Sequence, residues 1–211
     1  MDAQIITSAA LGVLDEVGLD KLSMRLVAAR LGVQVGGLYY YVADKAALLR
    51  LMANELCDQV LNEFDARPAA AFRSAPASRL DATPPWAAAA VGLCSCVREV
   101  LNRHRDAARV LAVSPLNGSL SALALMDRLI ALLEPGIAAE LANVAADTLM
   151  AYVTGFVLQE QSGVLGPFPI SPEELAARFP RVFRPVSTDD DQNFIMAAAT
   201  IIIGFRDLAP H

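Results

Sequence analysis

The stretch Ser23-Met24-Arg25-Leu26-Val27-Ala28-Ala29-Arg30-Leu31-Gly32-Val33-Gln34-Val35-Gly36-Gly37-Leu38-Tyr39-Tyr40-Tyr41 decides how this chain folds. Ser23 suits a helix N-cap, because its side-chain oxygen can accept one of the amide protons that a first turn leaves unpaired. Leu26, Val27 and Ala29 then turn toward a core in a helix that runs to Arg30. Leu31-Gly32-Val33 breaks this helix after about two turns, and a second short one runs from about Gln34 or Val35 to Tyr41. Two short helices joined by a tight glycine-containing turn form the helix-turn-helix signature.

The flanks agree. Upstream, Ile5, Ile6, Ala9, Ala10, Val13, Leu14 and Val17 recur at helical spacing up to Gly18, which suits a closing left-handed residue. Downstream, Asp44 caps an amphipathic helix carrying Leu48, Leu49, Met52, Leu56, Val60 and Leu61 to about Phe64. This predicts a three-helix head over 1–47 and a connecting helix over 48–65. Residues 66–83, rich in Ala, Pro, Ser and Arg, read as a flexible loop. Beyond them, periodicity predicts helices from Pro84-Pro85 to Leu101, over 107–113 and 119–133, and over 137–161 with Gly163 as its stop. Ser171-Pro172-Glu173-Glu174 opens another. A last one follows Thr188 and its three aspartates, through about Asp207. The fold class is all-α: an N-terminal helix-turn-helix head and a helical body over 84–211. The helices at 137–161 and 188–207 are apolar on more than one face, through Leu149, Tyr152, Val153 and Phe156 in one and Phe194, Ile195, Ile201, Ile202 and Ile203 in the other. One apolar stripe is enough to join a core, so the surplus predicts a homodimer.

Composition sets the outer limits. At 55% hydrophobic over 211 residues the chain can bury a large core. The net charge of −6 argues against a polyanionic partner until its distribution is read. Between positions 21 and 50 stand Lys21, Arg25, Arg30, Lys45 and Arg50 against one acid, Asp44. The sequence opens without a cationic stretch ahead of its apolar residues, and its longest apolar run, 194–205, is short for a bilayer. The expectation is a cytoplasmic protein with no membrane partner. Cys57, Cys94 and Cys96 lack the second pair or the histidines of a zinc site, so no metal and no cofactor is expected.

Taken together, Leu19-Asp20-Lys21-Leu22-Ser23-Met24-Arg25, Ala28-Ala29-Arg30-Leu31-Gly32-Val33, Leu38-Tyr39-Tyr40-Tyr41-Val42 and Asp44-Lys45-Ala46-Ala47-Leu48-Leu49 resemble the DNA-binding head of TetR-family transcriptional regulators. His104-Arg105-Asp106 and Gly155-Phe156-Val157-Leu158-Gln159-Glu160-Gln161 resemble the regulatory domain of the tetracycline-responsive members. The resemblance implies a regulator, expected to repress, that dimerises on a double-stranded palindromic operator and is released by a small-molecule effector. It implies base reading by Gln34, Val35, Gly36, Gly37 and Tyr40, with Arg25 reaching a base or phosphate. Ser23, Tyr39 and Lys45 would bind phosphates, and Leu38, Tyr41 and Val42 would be core. In the body it implies Leu111, Ser114, Tyr152, Phe156 and Gln159 as pocket lining, with core packing as the alternative for each. Leu111 and Gln159 stand where the tetracycline-responsive members carry a metal-ligating histidine and a glutamate, so the effector expected is apolar or aromatic and metal-free.

Two other readings stay open. One is a redox-responsive regulator using Cys94 and Cys96. The other is an all-helical enzyme, since His104-Arg105-Asp106 echoes a kinase catalytic loop. Leu111 stands where that loop needs asparagine, and no glycine-rich strand precedes it, so the expectation is no enzyme.

Overall fold

The structure, a computed structural model, describes residues 2–68, 84–114, 119–162, 169–182 and 189–208. Among these residues there are ten helices and no strand. The expected loop at 66–83 falls largely outside the described residues, as does Gly163.

Helix α1 (Ala3–Val17) starts at Asp2, whose carboxylate accepts the Ile5 amide proton, and stops at Gly18 with φ 76°. Helix α2 (Met24–Leu31) is capped by Ser23, which accepts from Leu26 N, and ends on Gly32 in the left-handed region, φ 68°. That turn sets α3 (Val35–Tyr39) against α2. Ile6, Leu14, Leu22, Val27 and Leu38 close the core between them. Helix α4 (Lys45–Ala66) begins at Asp44, whose Oδ1 accepts the Ala47 amide proton at 2.7 Å.

Its 22 residues rise about 33 Å at 1.5 Å each, so α4 packs on α1 at one end and on α5 (Pro85–Asn102), α6 (Ala107–Val113) and α7 (Leu120–Leu133) further along. Ser119, Ser171 and Asp189 cap α7, α9 (Pro172–Arg178) and α10 (Asp190–Asp207). Asp189 supplies the cap oxygen of α10, accepting from Asp191 N and Gln192 N at 3.1 Å each.

Helix α8 (Ala139–Ser162) packs on α5, α6, α7 and α10. By length and composition alone it could cross a membrane, yet Leu149, Val153 and Val157 lie in the protein core. Its outward face leaves Val144 51% exposed, and α10 leaves Met196 55% exposed. Ile202 and Phe194, counted above with the surplus apolar face, are instead buried within the single chain.

Candidate DNA-reading head and ligand pocket

None of the expected reading residues is buried in the core of the head. Arg25, Gln34, Gly36, Gly37, Tyr39, Tyr40 and Lys45 are exposed, and Ser23 and Val35 are half-buried. Tyr40, 86% exposed, has no packing reason to be there. Its ring meets Tyr41 edge-on at 5.2 Å. Tyr41 is 50% exposed, which corrects its assignment to the core; Leu38 and Val42 are buried as expected. The short α3 turns only Leu38 inward, and the chain leaves it before Tyr41 could follow. A Cβ added at Gly36 or Gly37 would meet nothing within 4 Å, so at these two positions α3 presents bare backbone with open space beyond it.

Ser23 caps α2 through a 3.4 Å contact from Leu26 N, which leaves its own proton to donate. Lys45 donates to Leu19 O at 3.3 Å. Arg25 makes no ion pair among the described residues, while Arg30 is held by Glu16.

A polar cluster ties the head to the body apart from α4. Asp106 Oδ2 accepts the Leu19 amide proton at 2.8 Å. Arg109 bridges Asp106 at 3.4 Å and Asp20 at 2.7 Å and holds the Asp20 carboxyl below its usual range. Asp15 accepts from Arg105 N at 2.9 Å and faces His104 Nδ1 at 2.9 Å. Asp106 has φ 58°, the only positive φ outside glycine among the described residues. The segment that echoed a kinase loop is therefore a docking corner beneath α1.

Behind the head, a cavity of about 340 Å³ opens between α4, α6, α7 and α8. Arg50, Ala53 and Cys57 form its α4 wall, Leu111, Ala112 and Ser114 its α6 wall, and Asp147, Met150, Ala151 and Thr154 its α8 wall. Ser119, Ala122, Leu125 and Met126 complete it from the α7 side. Of the five expected lining residues the structure brings Leu111 and Ser114 here. Tyr152, Phe156 and Gln159 fall elsewhere, because α8 turns a different face to the cavity. Tyr152 stacks on Phe194 at 5.4 Å and donates to Phe194 O at 3.2 Å. Phe156 and Phe194 meet edge to face at 5.2 Å, and Arg98, ion-paired with Glu160 and Asp191, lies over both rings. Burial alone would raise Glu160, but hydrogen bonds from Arg98 and Asn102 hold it below its ordinary value. Gln159 is exposed. The α4 wall was missed, although Arg50, Ala53 and Cys57 at i, i+3 and i+7 form a second helical stripe beside the apolar one.

Nothing in this arrangement supports the redox reading of the cysteines. Cys57, Cys94 and Cys96 are free and buried, and burial pushes the Cys94 thiol up to about 12 and Cys96 to about 11. Reactivity belongs to the thiolate, which such values suppress.

A helix-turn-helix with an exposed reading face, joined by one long helix to a cavity, defines a DNA-binding protein built to respond to a small molecule. Comparison with known proteins agrees. Residues 6–52 match the model for bacterial regulatory proteins of the tetR family, and residues 80–208 match the tetracyclin repressor-like C-terminal domain. The tetracycline repressor of class A from transposon 1721 of Escherichia coli is 32% identical over 158 residues, 75% of this chain and 66% of that protein. A possible TetR family transcriptional regulator from Streptomyces coelicolor A3(2) superimposes with a TM-score of 0.75 at 29% identity, covering 99% of this chain and all of that one. The TetR family protein ActR of Streptomyces coelicolor, solved in complex with actinorhodin, gives 0.74 at 27% identity, covering 100% and 99%. The chain belongs to the TetR family, whose members are dimeric, DNA-binding regulators of transcription that respond to small molecules.

Proposed function

We propose that this regulator is a repressor that binds a palindromic operator through α2 and α3 and leaves it when a small, metal-free, apolar or aromatic effector fills the cavity behind the head. The observation that carries this reading is the double duty of α4. Its first turns pack on α1 of the head, with Lys45 donating to Leu19 O just ahead of α2, and Ala53 and Cys57, two to three turns on, wall the cavity. A ligand that wedges α4 from α6 tilts the head. Release requires that it bind the tilted form more tightly, and DNA must then weaken effector binding by the same factor.

In this reading residues 1–47 are the DNA-binding unit, 48–65 the connecting helix, and 84–211 the effector-binding and dimerising unit. Arg25, Gln34, Val35 and Tyr40 face bases, Gly36 and Gly37 let the backbone approach, and Ser23, Tyr39 and Lys45 hold phosphates. Leu111 and Ser114 contact the effector. The outward faces of α8 and α10, with Val144 and Met196, meet a second copy. As a regulator of transcription it acts in the cytoplasm.

Selection of duplexes from a random library tests the DNA half. Inverted repeats with half-site centres about 34–36 Å apart or slightly more are expected. Selected sites without inverted symmetry overturn it. Arg25→Ala is expected to lose affinity for the selected site while keeping the melting profile of the folded protein.

A further inference from the structure

We propose that the effector is an amphipathic organic acid, and that Arg50 is the residue that binds its anionic group; this rests on the cavity being the effector site. Arg50 is half-buried on the face of α4 that it shares with Ala53 and Cys57, and it lines the cavity with them. Among the described residues it makes no ion pair. The other arginines on or capping α4 to α7 all do: Arg67 with Glu99, Arg98 with Glu160, Arg103 with Glu63, Arg109 with Asp20 and Arg128 with Asp65. Each of these five arginines meets a carboxylate on a neighbouring element. Among the described residues, the arginine that lines the cavity does not.

An unpaired cation half removed from water is costly, and the cost is recovered when an anion arrives. The guanidinium fork fits a carboxylate through two parallel hydrogen bonds. The remaining lining selects what is attached. Leu111, Ala122, Leu125, Met126 and Met150 call for an apolar skeleton, and the volume of about 340 Å³ suits a compact one. The hydroxyls of Ser114 and Ser119 are already spent on Leu49 O and Asn54. Asp147 on α8 also borders the cavity, exposed and not bonded to Arg50. It repels a second anionic group, so the ligand carries one acidic function. Arg50 stands five residues, about 7.5 Å of rise, from Lys45, so the charge of the ligand is anchored near the end of α4 that meets the head.

The test uses the full-length protein and a panel of aromatic and medium-chain aliphatic carboxylic acids, each paired with its neutral methyl ester. Binding is read by calorimetry and by the shift in melting temperature. Acids are expected to bind wild type more tightly than their esters. Arg50→Gln should weaken the acids about 10- to 100-fold, the effect of removing a charged hydrogen-bond partner, and leave the esters unchanged. Arg50→Lys should recover part of the loss. Equal binding of acid and ester to wild type, an Arg50→Gln variant that binds acids normally, or a panel in which no acid binds would each overturn the proposal. Ala53→Leu, which fills the cavity from the same wall, separates the two levels of the argument: if acid binding survives it but not Arg50→Gln, the acid chemistry stands and the cavity is the wrong place.

Discussion

Replacing Asp106 dissects the corner that docks the head on the body. Asp106 performs two tasks at once: it holds φ at 58°, and its Oδ2 takes the amide proton of Leu19, a buried residue of the α1–α2 turn. Losing a charged acceptor from that N–H costs about 1.5–3 kcal/mol. Placing a Cβ-bearing residue other than Asn or Asp in the left-handed region costs a further 1–2 kcal/mol or so. Three substitutions sort these contributions. Asp106→Asn keeps an acceptor and tolerates the backbone, for a loss of about 1 kcal/mol. Asp106→Gly keeps the backbone at ease but loses the acceptor, about 2 kcal/mol, and Asp106→Ala loses both, about 3 kcal/mol or more. Urea denaturation at fixed protein concentration gives the order, since oligomerisation would otherwise confound it. Amide exchange at Leu19 gives the place, with protection falling in Gly and Ala but retained in Asn. If Ala proves no more destabilising than Asn, or if Leu19 exchange is the same in all three, the docking argument is refuted.

Other expectations follow from neighbouring features. Arg98→Ala strips Glu160 and Asp191 of their cation and leaves Glu160 partly buried, so a loss of about 2–4 kcal/mol in urea unfolding is expected; a change within 0.5 kcal/mol would contradict this. The carboxyls of Glu63 and Glu160 are held below their ordinary range, Glu63 by its bonds to Arg103. A depressed carboxylate contributes stability that is present above its unfolded value, about 4.3, and is lost as pH falls through its folded value, so melting temperature should drop on acidification below about pH 4.5 and Glu160→Gln should flatten that drop. Met196→Asp puts a charge on the outward face of α10 and should turn a sedimenting dimer into a folded monomer, whereas Ile202→Asp, aimed at a side chain buried in its own chain, should unfold it. A Met196→Asp protein that stays dimeric would remove α10 from the interface.

What the sequence disclosed was what repeats locally. Caps and stops such as Ser23, Gly32, Asp44 and Ser171 act within a turn or two of their own helix, so element order and the helix-turn-helix could be read directly. The pocket could not, because it depends on the rotation of α8 about its axis. Tyr152 and Phe156 lie next to Ala151 and Thr154 in sequence, yet a rotation of about 100° per residue separates a cavity wall from the Arg98 seam. Arg50 escaped notice for a related reason. In sequence it is one of several cations near the head, and only the tertiary packing shows that, among the described arginines on or capping α4 to α7, it is the one that faces the cavity without a carboxylate. Tyr41 was misjudged because α3 ends at Tyr39, two residues sooner than expected.

The bare backbone at Gly36 and Gly37 leaves this head open to change. A side chain at either position enters empty space, and a glycine-to-alanine change inside a helix contributes roughly 0.5–1 kcal/mol of stability by itself. On the proposed reading of bases by α3, new contacts can therefore be introduced at its centre while the fold gains stability instead of losing it. Most binding surfaces surrender stability when their specificity is altered. Here the two move together, so a gene duplicate of this regulator could diverge toward a new operator through single substitutions, each of them folded at least as well as its ancestor.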